Sequence, residues 1–255
     1  MAVDPIIFEL SLPKIVRPYA EALNTEILPG DGMFFGNRHH YFACGASALN
    51  CILNALNSAE IEMKTKILDF GCGAGRVTRW LRAAFPDASI HASDVREQDL
   101  EFVQNNNFAK TWLSGTDISQ LESPESYDII WVGSVFTHLS ANFSARLFDR
   151  LCSWLRPQGV LIFSVHGRFV MHRAKSDCGL YGVEKQWDQL TDEYQRTGFG
   201  YADYPGYVNY GISVSKSSWW IELIESRHDM RLACISERAW DRHHDVITVQ
   251  KANWD

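Results

Sequence analysis

The stretch Lys66-Ile-Leu-Asp-Phe-Gly-Cys-Gly-Ala-Gly-Arg76 decides how this chain is read. A short apolar run carries Asp69 near its end, and Gly71, Gly73 and Gly75 follow at alternate positions. A helical pattern opens at Arg76. Strand, glycine loop and helix, in that order, build the nucleotide site of a doubly wound α/β sheet. Glycine suits such a loop because the backbone can approach a ligand with no Cβ in between. The spacing argues against a dinucleotide fingerprint. G-x-G-x-x-G would put its third glycine at position 76, which is Arg here.

Outward from this loop, strands and helices alternate. Ala46–Ala59 reads as an amphipathic helix and Ile67–Phe70 as a strand. Helices are expected over Arg76–Phe85, Arg96–Asn106 and Asn142–Leu155, the last stopped by Pro157 and Gly159. Strands are expected over Ser89–Ser93, Thr111–Leu113, Tyr127–Gly133 and Val160–Val165. Short apolar strands separated by helices imply parallel βαβ units. Two further strands, Arg231–Ile235 and Val246–Val249, lie about ten residues apart, too close for a helical crossover. They read as an antiparallel pair at the sheet edge. The expected fold is α/β: a doubly wound, seven-stranded, mostly parallel sheet with an antiparallel edge strand.

The 255 residues read as one domain in four parts. Residues 1–60 form an N-terminal helical cap and 61–166 the core. Residues 167–214 are an insert, and 215–255 carry a C-terminal helix and the edge strands. The insert is dense in aromatics: Phe169, Tyr181, Trp187, Tyr194, Phe199, Tyr201, Tyr204, Tyr207 and Tyr210. These rings form a satellite cluster, a lid over the carboxyl edge of the sheet, or both.

A net charge of −7 argues against a general nucleic-acid binder, which would show a basic patch or stripe. No apolar run approaches the ~20 residues of a membrane span. The N-terminal apolar stretch is broken by Glu9, Pro13 and Lys14, unlike a secretory leader. Six cysteines without a C-x-x-C pair read as reduced thiols of a cytoplasmic protein.

Three motifs together, D-F-G-C-G-A-G-R (69–76), S-V-F-T-H-L (134–139) and L-R-P-Q-G-V-L-I-F-S-V-H-G (155–167), resemble a group of bacterial class I S-adenosylmethionine (SAM)-dependent methyltransferases. The resemblance covers about residues 60–167, and Asp241–Val249 looks like that group's last strand. It implies SAM as cofactor, S-adenosylhomocysteine (SAH) as product, and a small-molecule or glycan acceptor. Asp69, Gly71, Cys72, Gly73 and Gly75 would shape the cofactor loop, with Arg76 either near the methionine carboxylate or in an ordinary surface ion pair. Asp94, 23 residues after Gly71, would accept the ribose hydroxyls, with Val95 beside it. Thr116, Asp117 and Ile118 would receive the adenine, although Asp117 also suits a turn or cap. Gly133 and Ser134 would close the cofactor pocket.

His138 follows the fourth strand and His166 the fifth. Adjacent strand ends lie ~4.8 Å apart, so both rings are expected at one pocket, as candidate bases for an acceptor hydroxyl; the alternatives are that His138 braces the start of the next helix and that His166 bonds a backbone carbonyl in a turn. His243-His244-Asp245 invites a metal reading. It is one local cluster, and methyl transfer from a sulfonium needs no metal, so no metal site is assigned. The favoured activity is O-methylation of a small hydroxylated acceptor, a sugar or glycan precursor. The alternatives are N- or C-methylation of another small molecule and a non-catalytic SAM- or SAH-binding regulator.

Overall fold

The computed structural model describes residues 11–61, 65–177 and 179–252. The first ten residues, where the sequence lacks a secretory pattern, and Cys178 lie outside the described residues. Residues 11–37 form an irregular segment that includes the short 3-10 turn Arg17–Tyr19. Helix α1 (Arg38–Ser58) opens at Arg38, well ahead of Ala46. Asn37 caps it by accepting the His40 N–H at 3.0 Å. Gly45 in the middle hides its periodicity. A Cβ there would meet the Trp80 ring at 2.6 Å, so this glycine lets two helices touch.

Next come β1 (Lys66–Phe70), α2 (Thr78–Ala84), β2 (Ser89–Asp94), α3 (Glu97–Asn105), β3 (Lys110–Leu113), β4 (Tyr127–Val132), α4 (Ala141–Ser153) and β5 (Leu155–Val165). After them lie α5 (Arg168–Asp177), α6 (Trp187–Thr197), β6 (Phe199–Asp203), β7 (Gly211–Ser215), α7 (Ser217–Glu225), β8 (Met230–Trp240) and β9 (His244–Lys251). The main sheet runs β3-β2-β1-β4-β5-β9-β8. Its first five strands are parallel, and β9 is antiparallel to both β5 and β8. This is the expected seven-stranded sheet, with the antiparallel pair at its edge. Strand order reverses between β1 and β4, which places the ligand crevice above their carboxyl ends.

Successive residues feed opposite faces of the sheet. Ile67, Ile129, Trp131 and Ile162 join the core beneath α1, α2 and α3. Leu68, Ile130, Leu161 and Phe163 join the other core, with Phe148 and Trp220. Strand β5 begins at Leu155, earlier than Pro157 and Gly159 suggest. The proline sits where the pairing with β4 is irregular, between Tyr127 and Ile129, so no regular ladder bond is lost there.

The insert has its own small core. Val170, Met171, Val183, Trp187, Leu190, Tyr194, Ile212 and Val214 pack together, and β6 and β7 pair as a separate antiparallel hairpin. The five described cysteines carry free thiols, four of them buried. No helix among the described residues is long and apolar enough to cross a membrane.

Candidate functional site

A cleft of about 820 Å³ opens at the carboxyl ends of β1, β2 and β4, the size of a small-molecule site. Its floor is the glycine loop, fastened to the end of β2. Gly71 and Cys72 donate to the Ser93 carbonyl at 2.8 and 3.1 Å. The Gly73 N–H donates to Asp94 Oδ2 at 2.8 Å, and Asp94 Oδ1 accepts the Arg96 N–H at 3.1 Å. A carboxylate has about four lone-pair sites, so Asp94 keeps acceptor capacity for a ligand while it holds the loop.

The glycines divide their work. Gly71 (φ +75°) passes under Val135, where any Cβ would collide with that side chain. Gly73 (φ +51°) has only Asp99 Oδ2 near its missing Cβ, at 4.0 Å, so its bare backbone faces the cleft. Gly75 (φ +77°) faces inward, and a Cβ there would press on Phe108 and Val103 at 3.0 Å. It packs the loop against the core and does not line the cleft.

Asp69, Gly71, Cys72, Gly73, Arg76, Asp94, Val95, Thr116, Ile118, Gly133, Ser134 and His138 all line the cleft. Asp117 does not. Its carboxylate caps the short turn Ile118–Gln120, accepting the Ser119 N–H and hydroxyl at 2.9 and 2.7 Å. The capping alternative therefore describes this residue. Arg76 rests its guanidinium 5.8 Å from the Trp240 ring centroid, on the cleft wall. Ser134 sits at φ +62°, uncommon for a residue with a side chain. Its N–H donates to Ser164 Oγ at 2.8 Å, and Thr137 Oγ1 donates to its carbonyl at 2.7 Å.

Asp31 and Asp99 also line the cleft, and the sequence reading did not single them out. Asp31 lies in the Gly30–Gly32 loop and accepts the Tyr41 hydroxyl at 2.7 Å. Asp99 Oδ1 is buried with no hydrogen-bond partner among the described residues, while its Oδ2 lies 3.4 Å from the Arg96 guanidinium. Burial pushes the Asp69 carboxyl up to about 7, the Asp94 charge adds to that, and the Thr78 hydroxyl bond at 2.6 Å opposes it. Burial likewise raises Asp99. With Asp94, four aspartates line one cleft beside Arg76 and Arg96, and their carboxylate oxygens can accept hydrogen bonds from a ligand's hydroxyl and ammonium groups. A bare glycine backbone, an orphaned carboxylate oxygen and this acidic lining all fit SAM, which carries a sulfonium, an ammonium and a ribose diol.

The two candidate bases part company. His138 ends the turn Phe136–His138 and lines the cleft. Its Nδ1–H donates to the Gly211 carbonyl at 2.9 Å, and a carbonyl can only accept. The neutral ring therefore keeps its lone pair on Nε2. Burial lowers the His138 pKa, and the bond to Gly211 partly offsets that. Strand β7 is docked on the same turn, with Ser213 Oγ donating to the Phe136 carbonyl at 2.8 Å. Between β6 and β7, Tyr207, Val208 and Tyr210 reach the cleft mouth.

His166 does not reach the cleft. It is buried, with Nδ1 donating to the Ser213 carbonyl at 3.2 Å, and burial drives its pKa down to about 3. Its ring turns toward β9, where it meets His244 with centroids 4.8 Å apart. The expectation of a shared pocket fails because a strand end has two neighbours, and His166 faces β9 rather than β4. His243 and His244 are thereby joined by a third imidazole from another strand, which sequence proximity could not reveal.

Residues 67–159 match the family model described as a methyltransferase domain. The chain is 36% identical over 145 residues to malonyl-[acyl-carrier protein] O-methyltransferase of Halalkalibacterium halodurans, covering 51% of this chain and 53% of that protein. It thus spans about half the length of that relative. It is 26% identical over 196 residues to phosphoethanolamine N-methyltransferase of Plasmodium falciparum, covering 74% of this chain and 70% of that one. Among solved structures it is similar to the plantazolicin methyltransferase BpumL in complex with SAH, at TM-score 0.55 and 16% identity over 85% of this chain and 87% of that one. A likeness also extends to magnesium protoporphyrin IX methyltransferase from Synechocystis PCC 6803 with bound SAH, at TM-score 0.53 and 14% identity, covering 98% and 100%. At such identities the structural likeness concerns the fold. The family match concerns residues 67–159, and both of these structures of like fold hold SAH.

Proposed function

We propose that this chain transfers a methyl group from SAM to the hydroxyl of a small acceptor, a sugar or glycan precursor, with His138 as general base. The observation that carries this reading is the position of His138. It lines the same cleft as the glycine loop and Asp94, with its protonated nitrogen tied to Gly211 and its basic nitrogen left to act. When bound, SAM supplies a methyl group already activated by positive sulfur. The chain's own residues must then hold, align and desolvate. Asp94 and the Gly73 backbone hold the nucleoside side. Arg76 and the acidic residues take the charged end. Tyr207 and Tyr210 offer aromatic rings at the mouth, where an acceptor with apolar and hydroxyl faces can stack. His138 Nε2 would accept the hydroxyl proton as the acceptor oxygen takes the methyl group and the methyl–sulfur bond opens to leave SAH.

The test is SAH formation from SAM with panels of hydroxylated, carboxylate and amine acceptors. Turnover with hydroxyl acceptors, lost in His138→Ala, supports the reading. Turnover confined to amines or carboxylates would replace the O-methylation assignment. SAM binding without turnover on any panel favours the regulatory alternative.

A further inference from the structure

The fold assembles three histidines that the methyl-transfer reading does not use. His166 comes from the end of β5, His243 from the turn before β9, and His244 from the first residue of β9. One ring nitrogen from each lies within 4.8 Å of the others. Ring centroids are 4.8 Å apart for His166 and His244, 5.0 Å for His243 and His244, and 5.4 Å for His166 and His243.

Each ring also has an oxygen against one of its nitrogens. His166 Nδ1 donates to the Ser213 carbonyl at 3.2 Å. His244 Nδ1 lies 3.2 Å from Ser164 Oγ, and His243 Nε2 lies 3.2 Å from the Tyr181 hydroxyl. This is the outer-shell pattern of ligating histidines, in which one nitrogen is fixed by an oxygen and the other meets the ion.

We propose that His166, His243 and His244 form a binding site for a single divalent cation of the zinc class. Three imidazoles with no thiolate or carboxylate suit Zn²⁺, Co²⁺ or Ni²⁺ and not Mg²⁺ or Ca²⁺. Tetrahedral ligation at ~2.1 Å would bring the nitrogens to about 3.4 Å apart. That asks for roughly an ångström of closure, which His243, partly exposed in a turn, can provide by rotation. The ion would join β5 and β9 to the insert, because Ser213 and Tyr181 both belong to the insert. It would stand behind the cleft wall, since the His244 ring packs on Trp240 at 4.8 Å and Trp240 lines the cleft. The site is independent of the methyl-transfer assignment.

The test uses tag-free, chelator-stripped, full-length protein titrated with Co²⁺ and followed by visible absorption, with Zn²⁺ as competitor. The expected result is one Co²⁺ per chain with a tetrahedral-type spectrum, displaced by Zn²⁺, and a higher melting temperature with Zn²⁺ present. His243→Ala should weaken binding by more than the ~10–100-fold that loss of an outer-shell partner costs. His244→Ala should do the same, and His228→Ala, an exposed histidine outside the cluster, should bind like the parent. Parent protein that shows no saturable Co²⁺ spectrum would overturn the proposal, as would a folded His243→Ala protein that binds like the parent. Should His244→Ala fail to fold, His243→Ala decides alone, because its side chain is partly exposed.

Discussion

Asp69 sits beneath the glycine loop, and its protonation gives the cleft a definite pH signature. Its folded-state pKa of about 7 lies above the ordinary carboxyl value. Between roughly pH 4 and 7 the folded chain keeps a proton that the unfolded chain has released, so stability falls as pH rises through this window. Asp69→Asn keeps an acceptor for Thr78 and removes the titration. Melts of parent and variant from pH 4 to 8 should diverge as pH rises, in favour of the variant, by at most roughly 4 kcal/mol. A difference that does not change with pH rejects this account. His138 gives the second residue-level test. His138→Ala should lower kcat by ~10²-fold or more with little change in SAM affinity. The parent's kcat should fall on the acid side, at a pH below the usual histidine value because burial lowers this pKa. An acid limb that persists in the variant assigns the titration to another group. Asp94, Gly73 and His138 were legible in the sequence because strand ends and glycine loops place them by local order. Asp31 and Asp99 were not. Each reaches the cleft by packing between segments distant in sequence, and a lone acid in a turn or first helical turn carries no such signal.

At the scale of elements, the glycine loop turns Gly73 to the cleft and Gly75 to the core, and paired variants test whether ligand contact and packing divide the same way. Gly73→Val adds a side chain where the structure leaves open cleft, at a φ of +51° that costs ~1–2 kcal/mol for a residue with a Cβ. Calorimetry should find SAM binding abolished in a protein that still folds. Gly75→Ala instead presses on Phe108 and Val103, so its main effect should be a lower melting temperature. If Gly73→Val binds like the parent, the loop is not the site. If Gly75→Ala melts like the parent, the inward role of Gly75 is wrong. The strands were largely legible because each is a short apolar run between breakers, and burial on both faces leaves little else for such a run to be. The misjudged boundaries have physical causes. Gly45 masks the first part of α1 while serving a helix contact, and Pro157 reads as a stop although an irregular pairing tolerates it at the start of β5.

At the scale of the whole molecule, the sheet and its glycine loop build one side of the cleft and the insert reaches the other side. The sequence reading left open whether the insert's aromatics form a satellite core or a wall at the site, and the structure divides them. Trp187 and Tyr194 are buried in the satellite core, while Tyr207 and Tyr210 stand at the cleft mouth, 60% and 45% exposed. Aromatic composition alone cannot tell these roles apart, because the hairpin that separates them is defined by pairing between β6 and β7. The insert also orients His138 through the Gly211 carbonyl, so in the proposed reading acceptor binding and base placement share one hairpin. Tyr207→Ser combined with Val208→Ser removes the exposed apolar tip and leaves Gly211 and the satellite core untouched. SAH affinity should then stay within about twofold and the melting temperature should hold, since neither side chain is buried. The acceptor's KM should rise ~10-fold or more, the scale of losing a hydrophobic contact of ~1.4 kcal/mol. Loss of SAH binding together with acceptor binding would instead assign the tip to the cofactor. An unchanged KM would mean that the acceptor enters past other residues and that the hairpin serves only to hold His138.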